Sequence, residues 1–432
     1  MKIGVDRRSL GILGHVVGHL GRARRRVERT GVPVRPLTRA CRGRSSPEAL
    51  SQEPLNGWGG GRLPRKRTRI AVVIWSGELG GAETWSAAIA QQMRRSGVDA
   101  TVVSITDSAP LADRMAAMAV PWVDVGFARG SEIIRRARHY ARVVADAGGD
   151  GALLMASGYM ASALRAGGYR SPVVGVEHGR LIETLARPRP RRWLDQIDLA
   201  LGARLVDAQV AVSAFMLAQL RLAPHRADAT VIPNGVDLDA FRPTRPVLDA
   251  SRPAVIGWAG RMVSGKGVDD LLHATAALAR RGAVELRLAG DGPDRGRIED
   301  LAQALGVAPI VRFLGRVQDM PEFWNECDIA VASSSTLVES FGMAALEAAA
   351  CGRPVVATRN GGFVDIVVDE TTGRIVDRGD APALASAIGQ YIEHPDQAQA
   401  HGARARERAV DRFGIRACSD AYIALLQTLR HT

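Results

Sequence analysis

From Thr68 onward, short apolar runs of strand length alternate with stripes of helical period, and this alternation limits the possible folds more than composition does. Ile70 to Trp75 reads as a buried strand and Trp75 to Gly81 as a loop. Ala82, Trp85, Ile89 and Met93 then form one face of a helix ending at Gly97, and Asp99 to Ile105 is a second strand, which completes a βαβ unit. Further strands are expected at Leu153 to Ala156, Pro172 to Val176 and Ala208 to Val212. Beyond a proline-bearing stretch the alternation resumes, with strands near 254, 284, 310, 328, 354 and 374. The expected class is α/β, with two doubly wound Rossmann-like domains whose strand carboxyl ends face a central cleft. The boundaries read as 68–242, a linker 243–253, then 254–412, with a helical segment 413–432 at the end; 432 residues suffice for two domains.

Residues 1–67 form an Arg/Gly/Pro-rich extension expected to be disordered. The formal charge of +12 belongs to it: residues 1–69 hold seventeen Lys/Arg against four Asp/Glu, a local +13, which leaves about −1 for the rest. A signal peptide is disfavoured because His15, His19 and several glycines interrupt Leu10 to Leu20, and arginines stand where small residues would mark cleavage. A nucleic-acid arm is disfavoured by the lack of interleaved aromatics, so no nucleic-acid partner is expected. Contact with anionic lipid, or an over-extended translation start in part, remain as readings of this stretch. No stretch approaches the roughly 18 uninterrupted apolar residues of a membrane span. The four cysteines, Cys41, Cys327, Cys351 and Cys418, have no metal-ligand spacing. Reduced thiols and a cytoplasmic location are expected, with the inner face of the plasma membrane as a refinement.

Two glutamates bracket seven residues at Glu339 and Glu347. A strand-like run, Asp328 to Ala332, leads through a serine-rich turn, Ser333 to Thr336, into a helix read as Phe341 to Ala350 and stopped by Cys351-Gly352-Arg353-Pro354. Glu339 would lie just before the helix and Glu347 two turns inside it, about 12 Å apart along one axis. Between them lie the free N–H groups of the first turn, a ready phosphate cradle. Carboxylate, anion cradle and carboxylate in a row fit the hexose, diphosphate and ribose of a nucleotide sugar. Two surface glutamates on an alanine-rich helix are the plain alternative.

Lysine usage sharpens the choice. The only lysines are Lys2, Lys66 and Lys266, although Lys and Arg together number 57. Lys266 stands in Gly260-Arg261-Met262-Val263-Ser264-Gly265-Lys266-Gly267, between a strand from Ala254 to Trp258 and a helix with Val268, Leu271, Leu272, Thr275, Leu278 and Ala279 on one face. A glycine-rich strand-to-helix loop there suits a phosphate, with Arg261 offering a fork and Lys266 a point charge. A solvated basic turn is the competing reading.

With these motifs in order, the chain from about Thr68 resembles the retaining GT-B glycosyltransferases of family 4. The resemblance rests on Gly260-Arg261 to Gly267, Ala289-Gly290-Asp291-Gly292-Pro293, Phe313-Leu314-Gly315-Arg316-Val317, the two-glutamate helix, and Thr372-Gly373-Arg374-Ile375-Val376. In the first half it rests on Gly80-Gly81-Ala82-Glu83, Val174-Gly175-Val176-Glu177-His178, Val210-Ala211-Val212-Ser213 and Val231-Ile232-Pro233-Asn234-Gly235-Val236-Asp237. It implies a hexosyltransferase that moves a hexose from a UDP- or GDP-sugar to an acceptor hydroxyl with retained configuration, without metal or other cofactor. The acceptor would be a saccharide or lipid-linked saccharide in envelope or exopolysaccharide synthesis. By the same resemblance the second domain holds the donor, the first holds the acceptor, and the terminal helix returns to the first domain.

Roles follow residue by residue from that likeness. Arg261 and Lys266 would neutralise the departing diphosphate, helped by amides at Phe341, Gly342 and Met343 and by a loop at Gly80 and Gly81. Glu347 would bind the ribose, the backbone of Val317 the base edge, and Glu339 the transferred sugar. His178, which on its own reads as structural, would contact the donor sugar; Glu177 would point the other way along its strand. Asp291, Asp207 and Ser213 read as structural or capping residues. The run Arg187-Pro188-Arg189-Pro190-Arg191-Arg192-Trp193 reads either as a solvated loop or as a docking segment for an anionic membrane or acceptor. A glycoside hydrolase is set aside because its two carboxyls must lie about 5 to 9.5 Å apart. An inactive sugar-nucleotide sensor or scaffold on the same fold is the alternative, which the presence of Arg261, Lys266 and Glu339 disfavours.

Overall fold

The computed structural model describes residues 67–75, 81–106, 109–128, 132–155, 158–179, 200, 202–222, 229–248 and 252–431. The extension, the docking segment 187–193 and Gly80 lie outside them. The first sheet comprises β1 (Arg69–Ile74), β2 (Asp99–Ser104), β3 (Trp122–Asp124), β4 (Gly151–Leu154), β5 (Val173–Glu177), β6 (Ala208–Ala211) and β7 (Ala229–Val231). Their order is β3-β2-β1-β4-β5-β6-β7, all parallel. Strands β3 and β7 escape the sequence reading because each is a three-residue edge strand, only partly buried, with no apolar run. Among the described residues this half also holds helices α1 (Gly81–Arg95), α2 (Ala109–Ala117), α3 (Ala137–Ala147), α4 (Gly158–Ala166) and α5 (Ala214–Leu222), with one short helical turn at Glu132–Arg135. On α1, Trp85, Ile89 and Met93 are buried as their spacing predicts, and Glu83 in its first turn and Arg94 and Arg95 in its last suit the helix dipole.

The second sheet comprises β8 (Ala254–Ala259), β9 (Val284–Ala289), β10 (Val311–Gly315), β11 (Ile329–Ala332), β12 (Val355–Thr358) and β13 (Gly373–Val376), in the order β10-β9-β8-β11-β12-β13, again parallel. Its helices are α6 (Val268–Ala279), α7 (Arg295–Ala304), α8 (Met320–Glu326), α9 (Met343–Ala350), α10 (Phe363–Ile366), α11 (Ala381–Glu393) and α12 (Pro395–Arg412). On α6, Val268, Leu271, Leu272, Thr275 and Leu278 are buried, and the Thr275 hydroxyl donates to the Leu271 carbonyl at 2.8 Å. Ala279 departs from the expected stripe: it lies at the exposed helix end, and Ala274 takes the buried position. In each sheet the strand order reverses at one point, β1/β4 and β8/β11, and ligand crevices open at such points.

The chain crosses between the sheets twice, and the crossings pair with each other. The Val236 N–H donates to Phe413 O at 2.8 Å, and the Ile415 N–H donates to Val236 O at 2.9 Å. The last helix, α13 (Ile415–Arg430), then lies against α1, with the Tyr422 and Trp85 rings 6.0 Å apart and Arg430 paired with Asp150 at 3.0 Å. One apolar cluster consequently runs from Trp85 and Tyr422 through Phe413 to Phe341 and Leu346, so the two halves share a core.

Buried charge fastens the linker to the second sheet. Asp328, fully buried at the start of β11, takes both guanidinium nitrogens of Arg252 at 2.7 and 2.8 Å, with the backbone amides of Leu248 and Val255. Arg353 is also fully buried, with no carboxylate on its guanidinium. It donates to the carbonyls of Arg245, Pro246, Cys327 and Cys351 and to Asn325 Oδ1. Burial lowers its pKa, the expected direction for a cation out of water. Four carbonyls receive this side chain, together with Asn325 Oδ1, which also accepts from Thr244 N at 2.8 Å. Arg353→Met keeps the bulk and removes the donor from those four carbonyls, so it is expected to cost about 3 kcal/mol of stability. The midpoint of urea unfolding, followed by circular dichroism, measures this; an unchanged midpoint contradicts it.

Candidate active site

The loops after β8 and β11 meet because β8 and β11 are neighbours at the reversal point of the second sheet. Their backbones are tied directly: Ser335 N and Leu337 N both donate to Gly265 O, at 2.8 and 3.2 Å, and Ser333 Oγ donates to Lys266 O at 3.0 Å. Gly267 has φ +70°, and a Cβ there would stand 1.9 Å from Ser333 O. Only glycine permits that approach. The consequence is one ion pair. Lys266 Nζ lies 2.5 Å from Glu339 Oε1, and the buried Ser334 hydroxyl donates to the same oxygen at 2.6 Å.

This pair sits in a cleft of about 1630 Å³ lined from both halves. From the first half come Gly81, Trp85, Arg114 and His178; from the second come Arg261, Lys266, Val317, Glu339, Gly342, Met343 and Glu347. Arg261 is exposed on the loop that carries Lys266.

Three details differ from the sequence reading. The helix begins at Met343, with Gly342 as the capping residue, so Glu339 belongs to the preceding loop and the two glutamates do not share one axis. The separation of about 12 Å along a helix therefore does not describe them. Phe341 is 2% exposed and its ring packs edge-on against Phe413 at 5.8 Å, so its side chain belongs to the shared core. Lys266, expected to face phosphate alone, is tied to Glu339.

Glu347 is set apart from Glu339 by its surroundings. Its Oε2 accepts from the indole N–H of Trp324 at 3.3 Å, and burial pushes its pKa up to about 7, with that hydrogen bond and the Arg114 guanidinium acting in the opposite sense. His178 follows β5, its ring 5.0 Å from that of Trp85. Burial lowers it to about 4, so it is neutral at neutral pH, and its Nε2 has no hydrogen-bond partner among the described residues. Glu177 is buried, is not among the residues lining the cleft, and accepts from Gly179 N at 3.0 Å. Asp291 accepts from Gly292 N at 2.8 Å, and its carbonyl takes Met262 N, a turn-forming role.

Four residues at the site went unread in the sequence as site residues. Ser334 lay in the serine-rich turn but had no assigned partner, and Trp85 read only as a core position. Trp324 and Arg114 sit on short helices, α8 and α2, with no pattern that marks them. Chemically, the cleft offers cations and a helix N-terminus for an anion, two carboxylates for hydroxyls, and a neutral imidazole on the opposite wall. Among the described residues no cluster of three or more His, Cys, Asp or Glu could hold a metal ion, and no helix is long and apolar enough to cross a membrane.

The sequence matches two family descriptions in succession: Glycosyltransferase Family 4 over residues 79–240 and Glycosyl transferases group 1 over residues 244–408. Over 255 residues it is 37% identical to the D-inositol 3-phosphate glycosyltransferase of Saccharomonospora viridis, covering 55% of this chain and 58% of that protein. Over 198 residues it is 34% identical to the GDP-mannose-dependent alpha-(1-6)-phosphatidylinositol monomannoside mannosyltransferase of Mycolicibacterium smegmatis, covering 42% of this chain and 52% of that one. The chain thus spans about half the length of the relatives it matches. The solved structure of HepE from Anabaena in complex with UDP and glucose shares the fold, with TM-score 0.69 and 24% identity, over 84% of this chain and 100% of that one. With both halves matched in order, and with two parallel sheets facing a cleft, the chain belongs to the GT-B glycosyltransferases of family 4, the glycosyl transferases group 1.

Proposed function

We propose that this chain transfers a hexose from a UDP- or GDP-sugar to a hydroxyl of a saccharide or lipid-linked acceptor, with retention of configuration and without a metal ion. The single observation that carries the reading is the Lys266–Glu339 pair at the reversal point of the second sheet, beside the first turn of α9. Held by Glu339, the ammonium stays at the loop end, where a diphosphate on the α9 amides of Gly342 and Met343 would meet it and Arg261. Glu339 would use its remaining lone pairs to orient a hydroxyl of the migrating sugar. Its charge would also favour positive charge developing at the anomeric carbon.

Glu347, deeper on α9, would accept the ribose hydroxyls, with the backbone at Val317 along the base. His178, neutral and with Nε2 unpartnered, can exchange one hydrogen bond with the sugar from the opposite wall. In the proposed step the bond between anomeric carbon and phosphate oxygen breaks as the acceptor oxygen bonds the same face of the sugar. The acceptor proton passes to the departing phosphate oxygen, and nucleoside diphosphate leaves. The names of the two relatives support a glycosyl donor, one of them GDP-mannose, and UDP accompanies HepE.

Release of nucleoside diphosphate from a panel of UDP- and GDP-sugars tests this, and steady turnover is expected to persist in EDTA. Stoichiometric binding without turnover, or loss of turnover restored by a divalent metal, overturns the corresponding part. Lys266→Ala is expected to lower kcat by about 100- to 1000-fold, the scale of losing one preorganised transition-state charge, with an unchanged circular dichroism spectrum. A folded, fully active variant removes the phosphate role of that side chain. Glu347 is ionised only above about 7, so donor KM is expected to fall as pH rises through that value, by up to about tenfold per unit below it. In Glu347→Gln that dependence should flatten. His178, already neutral there, adds no limb to the profile.

A further inference from the structure

The loop that carries Glu339 is held by the first half of the molecule as well as by its own. Beneath it runs the turn Asn360-Gly361-Gly362. Asn360 Nδ2 donates to Ser334 O and to Leu337 O, both at 2.8 Å, and Gly362 N donates to Glu339 O at 2.8 Å. Gly361 has φ +54°, and a Cβ there would lie 1.8 Å from Glu339 O, so the two backbones touch. From this turn the chain enters α10, whose Asp365 crosses to the other half. Its Oδ2 accepts from Phe215 N, in the first turn of α5, at 3.1 Å.

The residue before α5 makes the reverse crossing. Ser213 Oγ donates to Ser340 O at 2.6 Å while accepting from Met216 N at 3.0 Å, so one hydroxyl caps its own helix and grips the residue next to Glu339. One helix N-terminus thus holds the Glu339 loop at Ser340 and the turn beneath it at Asp365. Asp365 cannot drift to follow, because Arg408 of α12 donates to the carbonyls of Asp365 and Ile366 at 2.6 and 2.9 Å.

We propose that Ser213 and Asp365 are positioning residues that latch the first half onto the Glu339 loop and set the register of that carboxylate against Lys266. The latch rests on the catalytic reading of the site given above. Its energetics favour the docked arrangement. The first amides of a helix need acceptors, and α5 divides them between its own serine and a carboxylate from the other half. The carboxylate in turn is largely out of water, and that burial raises its pKa despite the amide hydrogen bonds. Its desolvation is offset only when the α5 amides are in reach. Separating the halves would leave Glu339 tied only within its own half, to its loop, to Lys266 and to the turn at Gly362, and would free Ser340 and Asp365 from α5. Sub-ångström freedom at such a group is costly to a reaction that depends on alignment.

Asp365→Ala, Asp365→Asn and Ser213→Ala in the full chain test this, with kinetics on a turned-over nucleotide sugar and hydrogen exchange of peptides spanning 334–342. Asp365→Ala is expected to lower kcat by about 10- to 100-fold, with donor KM within about threefold of wild type. Asp365→Asn keeps an acceptor oxygen for Phe215 N and should recover most of kcat. Ser213→Ala, a mild change in the other half, should lower kcat in the same direction and speed exchange in 334–342. A purely local cap would loosen α5 alone, so unchanged exchange in 334–342, or wild-type kcat in both alanine variants, overturns the proposal. If wild type turns over no nucleotide sugar, the catalytic reading fails instead, and the exchange result still decides whether the latch exists.

Discussion

The loops after β8 and β11 are bound to each other by backbone before any side chain contributes, and the rest of the site depends on that join. Gly265 O takes two amides from the second loop, and Gly267 comes so close to Ser333 that no side chain fits between them. Once the two backbones are in contact, the Lys266 and Glu339 side chains have little choice of partner. Their charges then compensate each other in a partly buried cleft, where either alone would be costly. The loop proposed to bind phosphate and the loop proposed to bind the sugar thereby become one corner. That corner stands where the strand order reverses and the sheet opens.

Rigidity on the second side is matched by continuity of the core between the two. Tyr422 on the last helix reaches Trp85, whose ring also faces His178, so the helix that closes the chain lies behind a wall of the cleft. The crossings at Val236 and Gly414 share hydrogen bonds, and Arg406 bonds the carbonyls of Leu238, Phe241 and Ala350. With Arg353 and Asp328, these groups bind the linker to the second half by satisfying carbonyls and amides that a loop would otherwise leave to water. The linker behaves as part of the second domain's core, and the first half meets that core through side chains and the paired crossings.

Much of this was legible because parallel strands buried on both faces are written as apolar runs, and surface helices as stripes. Among the described residues thirteen strands alternate with helices, and those missed, β3 and β7, are too short and too exposed to leave a pattern. Lys266 stood out by rarity, and Glu339 and Glu347 by spacing. The sequence could not show that Lys266 and Glu339 touch, since 73 positions separate them. Nor could it show that Ser213, a plain helix cap by its position, also reaches a carbonyl 127 residues away. Local signals report periodicity and capping; they carry nothing about which loop ends meet across a sheet or a cleft. The packing of Phe341 was hidden for the same reason: it lines the cleft as expected, while its ring turns inward to Phe413, a residue outside any local window.

Two glutamates in one cleft invite a common role, and their environments argue against it. Glu339 has an ammonium and a hydroxyl on one oxygen, at 2.5 and 2.6 Å, and is fixed by the loop from which it projects. Among the described residues Glu347 has only an indole N–H, at 3.3 Å, and a buried seat that makes its proton hard to lose. A carboxylate already paired with a lysine is, on the proposed reading, the one that faces a charge-separated step. One poised near 7 by burial is suited to a hydroxyl-rich partner whose arrival supplies the hydrogen bonds it lacks. In the proposed function the same chemical group is thus divided into a part that meets charge and a part that meets hydroxyls. What divides them is the presence of Lys266 beside one and of the α8 indole beside the other.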